Sequence, residues 1–423
     1  MKRLTLLLTV ACGILAAADP AAEKTLINLA RNSTGESLGR TLTQAFSEKA
    51  LTEGTAHASH GPEFLFAVQS HSAPLLFVDD TPIYGVRPVA GSNIWIALMR
   101  LGTGSSHAFY FLVDGKPLKR TDVRAYTPQH YEQPGVQQGS LSEKFEHTSK
   151  IFSGMKSDWW YYTSPGVEPG KPAVLMVWQD GQGFGARDSR SRLFTVTENL
   201  VHQNVIPPMV HLLIAPGFVG EERMRSIEYD TVSDRYARFV LDEILPELEK
   251  HQKIRKDAYS RAIGGQSSGG ICSLNAAWFR PDAFARVLSR IGSYTAIAWR
   301  SKEMKGGDVL DGGHFYPSMV RKEEKRNIRV WMEDGAEDLE NDHGSWPLQN
   351  IQLANSLKMR EYDFRFVFGT AQHNTAHGDS LLPEALRWLW RDYDPGQTEQ
   401  VFTMDPREKG KPYFRVQRLN RHE

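Results

Sequence analysis

The chain of 423 residues balances 50 Lys plus Arg against 50 Asp plus Glu, so no net field draws it to nucleic acid or to an anionic lipid surface. Apolar residues at 40% and charged residues at 24% are the proportions of a folded protein with a sizeable core, not of a disordered or membrane-spanning chain. Cys12 and Cys272 are too few for zinc or iron–sulfur sites built on thiolates.

In chain order, Lys2-Arg3, an apolar run from Leu4 to Leu15 and Ala16-Ala17-Ala18 before Asp19-Pro20 have the form of a signal peptide over residues 1–18. An exported, periplasmic or extracellular protein is the expectation. Thr9-Val10-Ala11 lacks the branched aliphatic residue that lipidation at Cys12 would want. No second apolar stretch approaches the roughly 18 residues that span a bilayer, so no transmembrane segment is expected in the mature chain.

Residues 22–130 read as short strands: Glu63 to Val68, Pro74 to Val78, Ile94 to Leu98 and Phe109 to Val113, with turn-prone pieces between them. The nearly all-apolar Phe109–Val113 predicts a strand covered on both faces, and Asp114-Gly115 predicts the hairpin turn after it. A small antiparallel β-sandwich is expected, and the Pro-, Gly- and Gln-rich piece from Tyr126 to Gln138 is its linker.

From 137 to 395 strands alternate with helices: Val174 to Val177 then Thr195 to Gln203, Val210 to Ile214 then Ser233 to Lys250, and Ala262 to Gly264 then Ser268 to Trp278. Ile328 to Met332 and Phe364 to Phe368 follow, each ahead of a helix. Such a pattern predicts an α/β fold, a doubly wound sheet covered on both faces. Pro246 should bend or end its helix. The tail 396–423 has no pattern that chooses between an extra strand pair and a disordered end.

The chemistry is concentrated in Gly265-Gln266-Ser267-Ser268-Gly269, a G-x-S-x-G placed between a short strand and a helix, the context of a nucleophile elbow. A serine hydroxyl needs a base and an orienting carboxylate, which on an α/β-hydrolase follow in the order acid, then histidine. Glu333, Asp334, Glu337, Asp338 and Asp342 all follow the strand ending at Met332, and spacing leaves the acid open. His373, past Phe368, is the first choice of base and His377 the second. The amide after the nucleophile, on Ser268, supplies half of an oxyanion hole. This chemistry needs no metal and no cofactor. His314 near Asp311, and His377 and Asp379 beside His373, are read as surface polar residues rather than ligands.

Several ordered motifs resemble the esterases typified by enterochelin esterase, whose relatives include feruloyl and acetyl xylan esterases. They are Trp178-Gln179-Asp180-Gly181-Gln182, Arg225-Ser226-Ile227-Glu228-Tyr229, Tyr236-Ala237-Arg238-Phe239 with Glu243 to Pro246, Gly264 to Gly270, Pro281-Asp282-Ala283-Phe284 and Leu386-Arg387-Trp388-Leu389. The resemblance covers about Gly139 to Tyr393. It implies the α/β-hydrolase fold, Asp338 as acid, His373 as base, the Gln182 amide as second oxyanion donor, and a pocket lined by Trp178 and Asp180. Ahead of it, Ile94-Trp95 and Phe111 to Gly115 resemble an immunoglobulin-like sandwich.

One departure is Ser289-Arg290-Ile291-Gly292-Ser293, where relatives carry a serine-glutamine-serine-glycine turn, so Arg290 is expected near the substrate. The implied function is a serine carboxylic ester hydrolase acting on small or siderophore-type esters. A carbohydrate esterase is the alternative, with Trp95, Trp159 and Trp160 as sugar platforms, and behind it stand an acyltransferase or a non-catalytic binding protein.

Overall fold

The computed structural model describes residues 20–33, 35–299 and 312–415; the segment read as a signal peptide and Asp311 lie outside them. Its central sheet runs, edge to edge, Glu222–Arg223, Phe218–Val219, Lys156–Thr163, Met209–Ile214, Val174–Gln179, Arg261–Gln266, Arg286–Arg290, Arg329–Glu337 and Asp363–Gln372. The six strands from Met209–Ile214 to Asp363–Gln372 pair in parallel, while Lys156–Thr163 is antiparallel.

Alternation along each strand divides the core into two layers, as the two-residue period of a strand requires. Val177, Leu212, Ile263, Val287 and Val330 face the helices Ser268–Phe279 and Trp346–Met359. Met176, Leu213, Ala262, Leu288 and Trp331 face Leu193–His202 and Ala376–Leu389. Burial on both faces accounts for the unbroken apolar runs in the sequence.

After Val174–Gln179 the chain moves to one side, to Met209–Ile214, and then to the other, to Arg261–Gln266. A sheet of this kind opens a crevice at such a reversal, beyond the carboxyl ends of its strands, and the elbow serine sits there. The helix expected from Ser233 to Lys250 is interrupted by a wide π turn over Phe239–Ile244 just ahead of Pro246 and ends at Leu248. A ring with no N–H cannot continue a regular ladder.

In the N-terminal region two antiparallel sheets face each other. One contains Ala56–His60, Glu63–Gln69 and Ile94–Arg100; the other contains Leu75–Val78, His107–Val113 and Thr121–Val123. Phe64, Phe66, Leu76, Phe109 and Phe111 fill the space between them. The hairpin turn falls at Asp114-Gly115, with φ of 49° and 75°, the left-handed pair that a two-residue turn of this type requires.

Three features differ from expectation. The helices Pro20–Asn32, Glu36–Ala45 and Glu48–Thr52 precede the strands and cover the outer face of the first sheet through Leu26, Ile27, Leu38 and Leu42. The strand His107–Val113 is covered only in part on its second face, where Ala108 is buried but Tyr110 is half-exposed and stacked on Phe77. The piece read as a linker is not loose: Tyr126 and His130 are buried, and the guanidinium of Arg192 lies 3.9 Å from the Tyr126 ring centre. Past Pro395 the tail packs through Phe402 against Tyr259 and Ala285 and then forms a short exposed helix, Pro406–Lys409, with no strand pair among the described residues.

Candidate active site

Ser267 ends the strand Arg261–Gln266 and precedes the helix Ser268–Phe279 with φ 57° and ψ −122°, a conformation that costs a residue bearing a β-carbon on the order of 1–3 kcal/mol. Neighbouring groups hold it there. The Ser267 N–H donates to the Arg290 carbonyl at 2.9 Å, and the Ser267 carbonyl accepts from the Ser293 N–H at 3.1 Å. Gly265 must be glycine because a Cβ would lie 2.7 Å from Gln179 Oε1 and from the Gly269 backbone. The sharp bend is thus packed from below and tied at the side, and its hydroxyl faces the crevice.

The sheet brings His373 and Asp338 to that hydroxyl from the two strands farther along. Ser267 Oγ lies 2.9 Å from His373 Nε2, and His373 Nδ1 lies 2.5 Å from Asp338 Oδ1. Asp338 accepts at the Nδ1 side, so Nδ1 carries the proton and Nε2 is free to accept from serine. The Asp338 carboxylate is shielded from solvent, whereas the imidazole is 20% exposed.

Burial alone pushes the Asp338 carboxyl up, but the hydrogen bonds from His373, from Asp334 and from the Leu339 N–H hold it below the usual carboxylate range. Asp334, directly behind it, is driven well above that range by burial and by the neighbouring Asp338. One carboxylate of this pair is therefore charged and the other neutral. Of the acids that spacing left open, Asp338 alone touches the histidine in the structure.

The helix Ser268–Phe279 begins with Ser268, whose N–H, in the first turn, has no acceptor within the helix. Across the crevice, in the turn Gly181–Gly183, the Gly183 and Phe184 N–H groups bond the Asp180 and Gly181 carbonyls, and the exposed Gln182 N–H lies outside those turn bonds. Ser268 thus opens its helix and Gln182 is the middle residue of its turn, each just past the carboxyl end of a strand.

Of the three predicted pocket residues, the side chains of Trp178 and Arg290 turn into the interior, and Asp180 is taken up in an ion pair beside the elbow. Trp178 is fully buried, donating its indole N–H to His211 Nδ1 at 3.0 Å; burial pushes His211 down to about 3, so it is neutral and able to accept. Asp180 turns to a two-pronged ion pair with Arg225, both contacts 2.8 Å. Arg290 is 2% exposed. Its backbone serves the elbow, but its side chain leaves on the opposite face, reaching Asp379 Oδ1 at 2.7 Å and the Thr375 carbonyl at 3.1 Å. The buried carboxylates of Asp379 and Glu333, at 2.7 and 3.5 Å, are what draw the guanidinium to that face.

The second-choice base, His377, is buried and pushed down to about 4 by that burial and by Arg290. Its Nδ1 lies 3.3 Å from Ser106 Oγ. Neither it nor Asp379 is the surface polar group expected. Trp159, offered as a sugar platform, is buried; Trp95 is half-buried and donates to the Ser70 carbonyl, and Trp160 packs against the core.

Ser293 and Trp346 were not singled out by motif. Ser293 Oγ lies 3.2 Å from Ser267 Oγ and accepts the Trp346 indole N–H at 3.2 Å, and the Trp346 ring stands edge-on to His373 at 5.6 Å. Ser293 does lie in the loop where the family pattern departs. Nothing local marks Trp346, which reaches the site from the start of its helix.

Residues 161–388, more than half of the chain, match the model of the family described as "Putative esterase". A segment of 146 residues is 31% identical to an iron(III) enterobactin esterase of Dickeya dadantii (strain 3937), covering 34% of this chain and 32% of that protein. Another of 167 residues is 26% identical to an iron(III) enterobactin esterase of Escherichia coli O6:H1, covering 40% and 38%. The matched segments thus span about a third of those relatives. Among solved structures, enterochelin esterase from Shigella flexneri superposes with a TM-score of 0.54 at 17% identity over 78% of this chain and 92% of that one, a likeness of fold. With its doubly wound sheet and serine elbow, the chain has the α/β-hydrolase fold and belongs to the "Putative esterase" family.

Proposed function

We propose that the protein is an exported serine carboxylic ester hydrolase that cleaves small or siderophore-type esters through an acyl-serine intermediate. The observation that carries this reading is the hydrogen-bonded line Ser267–His373–Asp338 ending on a left-handed elbow. His373 Nε2 takes the Ser267 proton as Oγ attacks the ester carbonyl. The tetrahedral oxygen receives the N–H groups of Ser268 and Gln182. The alcohol leaves with the proton from Nε2, and water, activated by the same nitrogen, releases the acid. Asp338, charged throughout, stabilises the imidazolium that forms in each half-reaction.

Ser293 assists at the nucleophile. Its oxygen already holds the Trp346 N–H, so its own proton is available to the Ser267 oxygen as negative charge develops there. The siderophore-type ester is supported by the names of the two relatives matched in sequence, and export by the pattern of residues 1–18. Of the aromatic residues that favoured the carbohydrate alternative, Trp159 is buried in the core, while Trp95 and Trp160 are half-buried.

The test is turnover of a panel of aryl and catecholoyl-serine esters by the purified full chain and by Ser267→Ala. Loss of about 10⁴-fold or more with an unchanged fold is the expected result. Wild-type turnover by the alanine variant, or no labelling of Ser267 by a fluorophosphonate, would sink the proposal.

A further inference from the structure

The loop that carries His373 is held from outside the catalytic sheet. Asp122, on the strand Thr121–Val123 of the N-terminal region, accepts two hydrogen bonds at one oxygen: from the Gln372 N–H at 2.8 Å and from Asn374 Nδ2 at 2.8 Å. These are the residues on either side of the histidine. Two positions along, Arg124 Nε donates to Asp379 Oδ2 at 2.8 Å and Nη2 to Thr375 Oγ1 at 2.5 Å. The Ala125 N–H then reaches Ser380 Oγ at 3.1 Å, and His130 Nε2 lies 2.8 Å from the Asp379 carbonyl.

Asp122 and Asp379 are buried, so these bonds are made away from competing water and orient more strongly than surface contacts would. Within the catalytic sheet, Gln372 pairs with Glu337 beyond a bulge, and the strand ends there. The backbone of residues 373–375 then turns into the helix Ala376–Leu389, with Asn374 Oδ1 accepting the Ala376 N–H. Much of what fixes this turn comes from the other region of the chain.

We propose that Asp122, with Arg124 behind it, is a positioning residue for His373, so that the N-terminal region completes the hydrolytic site. Asp122 touches neither substrate nor the reacting atoms. It fixes the backbone on both sides of the base and thereby the distance from Nε2 to Ser267 Oγ. A misplacement of about 1 Å at such a distance costs on the order of 10²-fold in rate. The proposal rests on the hydrolase reading above.

The experiment uses the full chain, an activated aryl ester and a fluorophosphonate probe. Asp122→Ala is expected to lower kcat by about 10- to 100-fold with KM little changed, and to slow labelling of Ser267 in parallel. Asp122→Asn keeps an oxygen able to accept both bonds and should recover much of the rate. Asn374→Ala removes one of the same bonds, and the double variant with Asp122→Ala should lose less than the product of the two single losses. As control, Tyr126→Phe deletes another bond across the same interface, from the Tyr126 hydroxyl to the Arg190 carbonyl at 2.6 Å, and should lower Tm while leaving kcat unchanged.

Wild-type kcat in Asp122→Ala overturns the positioning role alone. So does a loss confined to KM, or an equal loss of kcat in Tyr126→Phe. A wild-type protein that neither turns over esters nor labels at Ser267 removes the hydrolase reading and this one with it. Should Asp122→Ala fail to fold, the kcat of Asn374→Ala and Asp122→Asn decides.

Discussion

At the residue scale the informative feature is the pair of carboxyl groups behind His373, which burial and mutual repulsion have divided into one charged and one neutral member. Asp338 does electrostatic work on the imidazolium, while Asp334, already neutral, serves by shape and hydrogen bonding. Asp338→Asn should therefore lower kcat by about 10³- to 10⁴-fold, as loss of the orienting charge does elsewhere. Asp334→Asn should retain most of the activity, because the amide imitates the protonated acid. Aryl-ester kinetics on the two variants at one pH distinguishes the roles, and equal losses would refute the division. Asp342→Asn, on a loop residue that makes no bond to His373, should leave kcat as it is. Spacing could not rank these acids, because Glu333, Asp334 and Asp338 are all buried and what separates them is which one the chain beyond the bulge brings to His373. Ser267 and His373 were legible because the elbow pattern and the strand-end position are local. Arg290 was misread for the same reason: a strand residue beside the elbow has two faces to choose from, and its partner Asp379 is 89 residues away.

At the scale of elements, the acid and the base are neighbours only because Arg329–Glu337 and Asp363–Gln372 stay paired to their ends, with a shift in register between Gly335 and Glu337. Gly335 makes the approach feasible, since a Cβ there would lie 2.1 Å from the Ala371 carbonyl oxygen and 2.5 Å from its nitrogen. Backbone on a paired strand cannot yield as a flexible side chain can. Gly335→Ala is accordingly expected to cost about 1–3 kcal/mol in stability and to part Asp338 from His373. Chemical denaturation and kcat should both register the change, with the loss of kcat exceeding that of a surface alanine substitution of equal destabilisation. The alternation of strands and helices from Val174 to Trp390 could be followed by eye because both faces of the sheet are covered. The three N-terminal helices could not. Pro20–Asn32 and Glu36–Ala45 bury only a narrow stripe on a sheet that already reads as complete from its own apolar pattern.

Over the whole molecule, the two regions are joined through a buried charge cluster in which Arg124 and Arg290 converge on Asp379 while Arg290 also passes Glu333 at 3.5 Å. The two acids respond oppositely to the same surroundings. Burial would push Asp379 up, but two guanidinium groups and the Thr375 hydroxyl hold it below its ordinary 3.8. Its contribution is thus present above that ordinary value and is lost as pH falls through the lower folded one. For Glu333 burial wins over the more distant Arg290, and its carboxyl is raised from 4.5 to about 7. A raised carboxyl favours the folded state fully below 4.5 and loses that contribution as pH climbs through about 7. In the stability profile Asp379 thus contributes an acid limb and Glu333 a falling limb between pH 4.5 and about 7, set against the rise toward 6.5 that the buried, neutral His211 and His377 contribute. Glu333→Gln, which cannot ionise, should remove that falling contribution, so that its Tm gains on the parent's as pH rises from 4.5 to about 7, while leaving the acid limb intact. Asp379→Asn should lower Tm at neutral pH and blunt the acid limb, since both arginines then face an uncharged partner. Because the same carboxylate anchors the helix that follows His373, the loss of docking in Asp379→Asn should come with a fall in kcat, whereas Glu333→Gln should change stability more than rate. Melting curves and aryl-ester kinetics on the two variants across pH test this coupling, and a Glu333→Gln profile that stays parallel to the parent's from pH 4.5 to about 7 would refute the assignment of the falling limb.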